Sequence, residues 1–187
     1  MDLTLFWYFN GWAGHGALWD SVIVFIASDL QYVLGALLVV LVFWPIRPAS
    51  PKTMSRGGHI RMFGAAFAAA IFARLVVKPL ILLFVHRARP FITLDGVRNL
   101  IGTDPGENLQ SFPSGHAIFF FALATAVYRY DKRWGCIFFA GALLMGAARI
   151  IGGVHWPSDI LGGALIGMLI GWLMIQFIPP FPRASSS

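Results

Sequence analysis

Charge is scarce in this chain: 12% of its 187 residues are Asp, Glu, Lys or Arg, against 58% hydrophobic. That balance excludes an ordinary soluble domain, in which about a quarter of the residues are charged. The single cysteine, Cys136, sits in an apolar run, so neither a disulfide framework nor a cysteine metal site is available. Only eight carboxylates occur, and they are scattered. No signal-peptide pattern opens the sequence, with no basic segment ahead of a short apolar core and a small-residue cleavage site. The formal net charge of +6 raises nucleic acid as a partner. The cations instead fall between apolar runs, so no nucleic acid is expected.

What is abundant is apolar length. Runs at 30–46, 60–85, 113–130, 134–153 and 157–178 each approach the ~20 residues that cross a membrane. The expected fold is all-α, a polytopic membrane helical bundle of about five transmembrane helices plus an N-terminal segment. Residues 1–178 form a single domain, and 179–187 a disordered cytoplasmic tail. Residues 1–29 contain two short apolar stretches around a turn-forming centre, Asn10–Gly16. They read as an interfacial or re-entrant segment with Trp7, Tyr8 and Trp12 at head-group level, or else as a sixth, distorted span. Gly163, Gly167 and Gly171, and Ala65, Ala66, Ala69, Ala70 and Ala73, recur at helical spacing and predict close helix packing.

The charges orient the bundle. Arg47, Lys52, Arg56, Arg61, Arg129, Lys132, Arg133 and Arg183 fall in alternate connections and the tail, which the positive-inside rule places in the cytoplasm. Asp2, Asp20, Asp29, Asp95, Asp104, Glu107 and Asp159 then fall on the outer side. Cations that remain there, among them Arg74, Lys78, Arg87, Arg89 and Arg149, run against the rule and point to a binding site for an anion. With every cluster at the end of an apolar run, a lipid head group is the natural anion.

Three clusters carry chemistry. Pro113-Ser114-Gly115-His116 opens the third run; its free helix N–H groups form an anion site, glycine admits a phosphate close to the backbone, and His116 can protonate a leaving oxygen. Ordinary capping by Ser114 is the alternative. In Arg149-x5-His155-x3-Asp159, the acid can orient the imidazole and stabilise the cation formed when Nε2 attacks, while Arg149 offers a planar fork to phosphate oxygens. A helix cap at Asp159 and a snorkelling Arg149 are the alternatives. Lys78 lies inside an apolar run with Arg74 one turn deeper, followed by Arg87-Ala88-Arg89-Pro90; together with Arg149 they can neutralise a phosphate.

These clusters resemble the type 2 phosphatidic acid phosphatase (PAP2) superfamily: a lysine followed by Arg-Pro, then Pro-Ser-Gly-His, then Ser-Arg-x5-His-x3-Asp, over about residues 74–160. The segment Phe9–Asp20 is similar to undecaprenyl-diphosphate phosphatases of the bacitracin-resistance type. The resemblance implies that His155 is a nucleophile forming a phosphohistidine, Asp159 its orienting partner and His116 the general acid. Lys78, Arg89, Ser114, Gly115 and Arg149 would bind the phosphoryl oxygens, with Arg74 and Arg87 as possible additions, and no metal or other cofactor takes part. Two positions depart from the pattern: Ala148 replaces the usual serine, and the usual lysine spacing falls on Leu82, four residues after Lys78.

The expected activity is hydrolysis of undecaprenyl diphosphate in a bacterial cytoplasmic membrane, at a site on the outer face, with the C-terminus cytoplasmic. The expected partner is an isoprenoid or other lipid phosphate; oligomeric state stays open. Alternatives are another lipid phosphatase (phosphatidylglycerol phosphate, phosphatidate or lipid A), a lipid phosphotransferase, or an anion channel. A metal mechanism fits poorly, since Asp159 is the one acid within the motifs and cations surround it.

Overall fold

The computed structural model of the chain describes residues 1–43, 56–102 and 109–177. The expected tail at 179–187, most of the 45–61 connection, and Asp104 and Glu107 of the outer loop lie outside them. Helix α1 is Asp2–Asn10. Helix α2, Ala17–Val24, runs through a π-helical turn, Phe25–Asp29, into α3, Leu30–Phe43. Helix α4, Arg56–Phe72, runs through a second π turn, Ala73–Val77, into α5, Lys78–Leu82. There follow the short α6, Pro90–Thr93, then α7, Gly115–Tyr130, α8, Lys132–Ile151, and α9, Pro157–Gln176. Among the described residues no strand forms; one isolated bridge joins Ala88 to Gln110.

Four helices are long and apolar enough to cross a membrane: Ala17–Leu41, Ile60–Leu82, Lys132–Ile151 and Pro157–Gln176. The chain is thus an all-α, multi-pass membrane protein. The expected third run forms α7, whose sixteen residues extend about 24 Å. Ten of them are buried, so α7 is the axis of the bundle, covered by protein rather than lipid.

The first span needs correction. The expected run at 30–46 begins instead at residue 17, because Val22–Ile26 continues into Leu30–Leu41 across Ser28 and Asp29. Leu34 packs on Gly141, while Ala27 clusters with Ala148. That antiparallel register sets Ile151, the last residue of α8, level with Val24. Residues 17–23 therefore overhang α8 by about 10 Å, and Asp29 lies inside the span, not at its outer end. Only α1 stands apart as an N-terminal segment.

The small-residue stripes do what their spacing predicts. A Cβ on Gly167 would lie 2.5 Å from the Ile118 carbonyl oxygen, and one on Gly171 2.6 Å from that of Ala122. Glycine thus lets α9 rest on the backbone of α7. Ala65, Ala66, Ala69 and Ala70 along α4, and Ala73 at the start of the π turn that follows, are all buried. Between α7 and α8 the turn is a single residue. Asp131 caps α8 by accepting from the N–H groups of Arg133 (2.9 Å) and Trp134 (3.1 Å). The N-termini of α7 and α9 and the C-termini of α5 and α8 consequently meet at one end.

Candidate active site

That shared end is where the buried polar side chains collect: Arg89, Ser111, Ser114, Arg149, His155 and Asp159, each at most 9% exposed. Burying so many polar groups is costly unless they hold one another or a ligand.

His155 lies in the α8–α9 turn, four residues before Asp159 in the first turn of α9. Its Nδ1 is 3.5 Å from Asp159 Oδ2 and 3.4 Å from the Ser111 hydroxyl oxygen. Ser111 donates to that same Oδ2, which also accepts from the Trp156 N–H at 2.8 Å. Asp159 therefore both caps its helix and faces the imidazole; the two readings of this residue are compatible. Burial pushes His155 down to about 4, against the opposing pull of Asp159. At neutral pH the ring is uncharged and keeps a lone pair on Nε2.

The second cluster sits opposite. Ser114 precedes α7 in extended conformation, and its N–H donates to the Asp159 carbonyl (3.2 Å), tying the two motifs together through the backbone. Its side chain makes no capping bond, which removes ordinary capping as its explanation. The Ser114 hydroxyl is fully buried and, among the described residues, has no hydrogen-bond partner. At Gly115 an added Cβ would meet Lys78 Nζ at 3.0 Å and Arg74 Nη1 at 3.2 Å. Glycine is what lets two cations approach the start of α7.

Lys78 reaches this point despite its shifted spacing. Pro79 lacks the N–H that an α-helix would bond to Leu75, and the chain relieves this with the π turn at Ala73–Val77. Arg74 and Lys78 then both face Gly115. Arg89 and Arg149 lie within electrostatic reach of Lys78, and His116 within reach of Arg74, Lys78, Arg149 and His155. Arg149 Nη1 donates to the Ala27 carbonyl (3.1 Å) in the first π turn. Ala148, where a serine was expected, packs with Ile23 and Ala27 in an apolar cluster.

Arg87 is placed differently from the other cations. Its Nη1 binds Asp159 Oδ1 at 2.9 Å, its Nη2 pairs with Asp2, and its guanidinium lies 5.0 Å from the Trp156 ring centre. Asp2 also accepts from Ser158, through the N–H (3.0 Å) and the hydroxyl (2.7 Å). Burial draws its carboxyl up, but the Ser158 and Arg87 bonds outweigh that and hold it below its ordinary value. Sequence reasoning gave no role to Ser111 or Asp2, nor to Asn10, whose amide bonds the Arg98 and Ile151 carbonyls. Ser111 carries a weak signal, lying three residues before Ser114; Asp2 and Asn10 carry none.

A lateral cavity of about 470 Å³ opens between α3, α4 and α7, walled by Tyr32, Gly35, Phe67, Phe119 and Phe120, with Arg74 also on its lining. Arg74 thus joins an apolar groove to the cationic cluster at Gly115. Two histidines, a buried carboxylate and a ring of cations beside an apolar lateral groove can bind a lipid phosphate and attack its phosphorus.

Residues 61–183 match the family model of the PAP2 superfamily. The chain is similar to the undecaprenyl-diphosphatase BcrC of Bacillus subtilis, 31% identical, with 95% of this chain and 84% of that protein covered. It is also similar to a lipid A 4'-phosphatase of Bacteroides thetaiotaomicron, 27% identical, over 92% and 75%. Among solved structures, the crystal structure of Aquifex aeolicus LpxE superposes with a TM-score of 0.71 at 28% identity, covering 94% of this chain and 95% of that one.

Proposed function

This chain belongs to the PAP2 superfamily, and on that premise we propose that it hydrolyses undecaprenyl diphosphate to undecaprenyl phosphate and inorganic phosphate. The observation that carries the reading is the junction at Arg74: an apolar groove on one side, the Gly115 cradle on the other. A long isoprenoid tail can stay in the groove while the diphosphate enters among Lys78, Arg89 and Arg149. The Ser114 hydroxyl, unpaired among the described residues, and the first N–H groups of α7 are left to donate to phosphoryl oxygens.

Chemistry then follows from the two histidines. His155 Nε2 attacks the terminal phosphorus and the bond to the bridging oxygen breaks. His116 donates a proton to that oxygen, so undecaprenyl phosphate leaves and the phosphoryl group stays on His155. Asp159 stabilises the cationic ring. Water, deprotonated by His116, then attacks the phosphohistidine, releasing inorganic phosphate and restoring both rings. No metal is needed in this scheme: both Asp159 oxygens are engaged by Arg87, Ser111 and the Trp156 N–H, and the surrounding cations already neutralise the phosphate.

The chain would work in a bacterial cytoplasmic membrane of five spans, α7 being the inner one, with the site on the outer face and the C-terminus in the cytoplasm. The charge distribution and the convergence of helix ends support that topology. Similarity to a lipid A 4'-phosphatase favours a second reading, dephosphorylation of lipid A by the same residues. Purified protein offered undecaprenyl diphosphate, lipid A and phosphatidylglycerol phosphate side by side separates them. We expect the highest kcat/KM on undecaprenyl diphosphate; a preference for lipid A or the glycerophospholipid would overturn the substrate and keep the chemistry.

A further inference from the structure

The hydrogen bonds around Asp159 extend beyond the groups that meet substrate. We propose that Asp2, on the N-terminal helix, is a positioning residue for phosphoryl transfer, acting through Arg87 on Asp159; the inference rests on the phosphatase reading above.

Asp159 Oδ2 takes the Trp156 N–H and the Ser111 hydroxyl, while Arg87 Nη1 is the donor on Oδ1 at 2.9 Å. Arg87 therefore sets the twist of the carboxylate about its Cβ–Cγ bond. Nδ1 of His155 is already 3.5 Å from Oδ2, so a small rotation would lengthen that contact past any useful interaction. A guanidinium is planar, and fixing one arm fixes the direction of the other. Asp2 holds the second arm, and the Trp156 face backs the group at 5.0 Å.

Asp2 is itself held. The Ser158 N–H and hydroxyl bind its two oxygens at 3.0 and 2.7 Å, and Ser158 adjoins Asp159. Farther along α1, Phe6 packs on Trp156 with ring centres 5.3 Å apart, and the Asn10 amide bonds the carbonyls of Ile151 and Arg98 at 2.8 and 2.9 Å. Helix α1 thus clamps together the segment carrying Arg87 and Arg89 and the turn carrying His155. An ion pair at a wet surface contributes little. This one differs because its far end, Asp159, is fully buried, and its geometry bears on the nucleophile.

The test uses the full chain purified in detergent, with wild type, Asp2→Asn, Asp2→Glu, Ser158→Ala, Arg87→Gln and the Asp2→Asn/Arg87→Gln pair. Phosphate release from undecaprenyl diphosphate gives kcat and KM, and thermal melting gives the fold. Asp2→Asn is expected to lower kcat about tenfold, within the range that misplacing a catalytic group costs, with KM and melting temperature nearly unchanged. Asp2→Glu is expected to recover most of the rate and Ser158→Ala to lose a few-fold. In the Arg87→Gln background, adding Asp2→Asn is expected to cost nothing further. Wild-type kcat in Asp2→Asn, a loss borne by KM or melting alone, or additive losses in the pair would overturn the inference. Wild-type protein that releases no phosphate from any of the three lipids would overturn the phosphatase reading instead.

Discussion

At the scale of single residues the site is built on burial set against charge. His155 is 2% exposed and surrounded by cations, and burial first, then Arg149, pushes it down to about 4. As the proposed nucleophile His155 must be unprotonated, and protonation is complete only below that value, so the acid limb of kcat/KM is expected near pH 4. A limb near the ordinary histidine value, ~6.5, would mean that the ring is wetter than the structure has it. Lys78→Ala is expected to lower turnover at least about tenfold; unchanged activity would pass its role to Arg74. The motif residues were legible in the sequence because their spacing is local: four residues from His155 to Asp159, two from Ser114 to His116. Ser111 and Asp2 were not, because each acts across a tertiary contact. Ser111 reaches Asp159 over 48 positions and Asp2 reaches Ser158 over 156, distances over which a lone serine or aspartate leaves no pattern. Arg87 was legible as a possible addition to a phosphate-binding set. Its engagement with Asp159 and Asp2 was not.

Two π turns sit where the first two long helices pass the site, one supplying the Ala27 carbonyl to Arg149 and one setting Arg74 and Lys78 against Gly115. Neither was readable from hydropathy. The boundary of the first span was misplaced for a related reason. Ser28, Asp29 and Gln31 lower the local hydropathy and look like an end, yet the π turn carries them inside a continuous helix. Glycine spacing, by contrast, was a dependable sign of packing. Gly167→Val is expected to destabilise the bundle by about 1–3 kcal/mol, the cost of forcing a side chain into a filled contact, read as a lower melting temperature in detergent. An unchanged melting temperature would mean that α9 can stand off α7, against the 2.5 Å approach at Ile118.

On the scale of the whole molecule, the helix ends gather the charges at one end of an apolar bundle and the groove opens sideways from them. A substrate half soluble in lipid suits that plan; a free phosphate ester has no use for the groove. Gly35, on α3, lines the groove away from the catalytic groups. Gly35→Trp is therefore expected to raise KM for undecaprenyl diphosphate several-fold while leaving kcat/KM for a short-chain diphosphate nearly unaltered. Equal effects on both substrates would place the tail elsewhere. The helical class and the gathering of the motif cations at one end of the bundle were foreseeable from where charge interrupts apolar length. Groove and N-terminal clamp were not, since both arise only when α1, α3, α4 and α7 are set side by side.

The most direct test of the whole account is to trap the phosphoryl group. Undecaprenyl diphosphate labelled in its terminal phosphate, mixed with the purified chain and quenched into alkali within milliseconds, should leave label on His155. That label should be stable to base, labile to acid, and absent from His155→Ala, which should also release no phosphate. Phosphate release that survives in His155→Ala, or turnover with no labelled protein at any quench time, would contradict the assignment of His155 as the nucleophile.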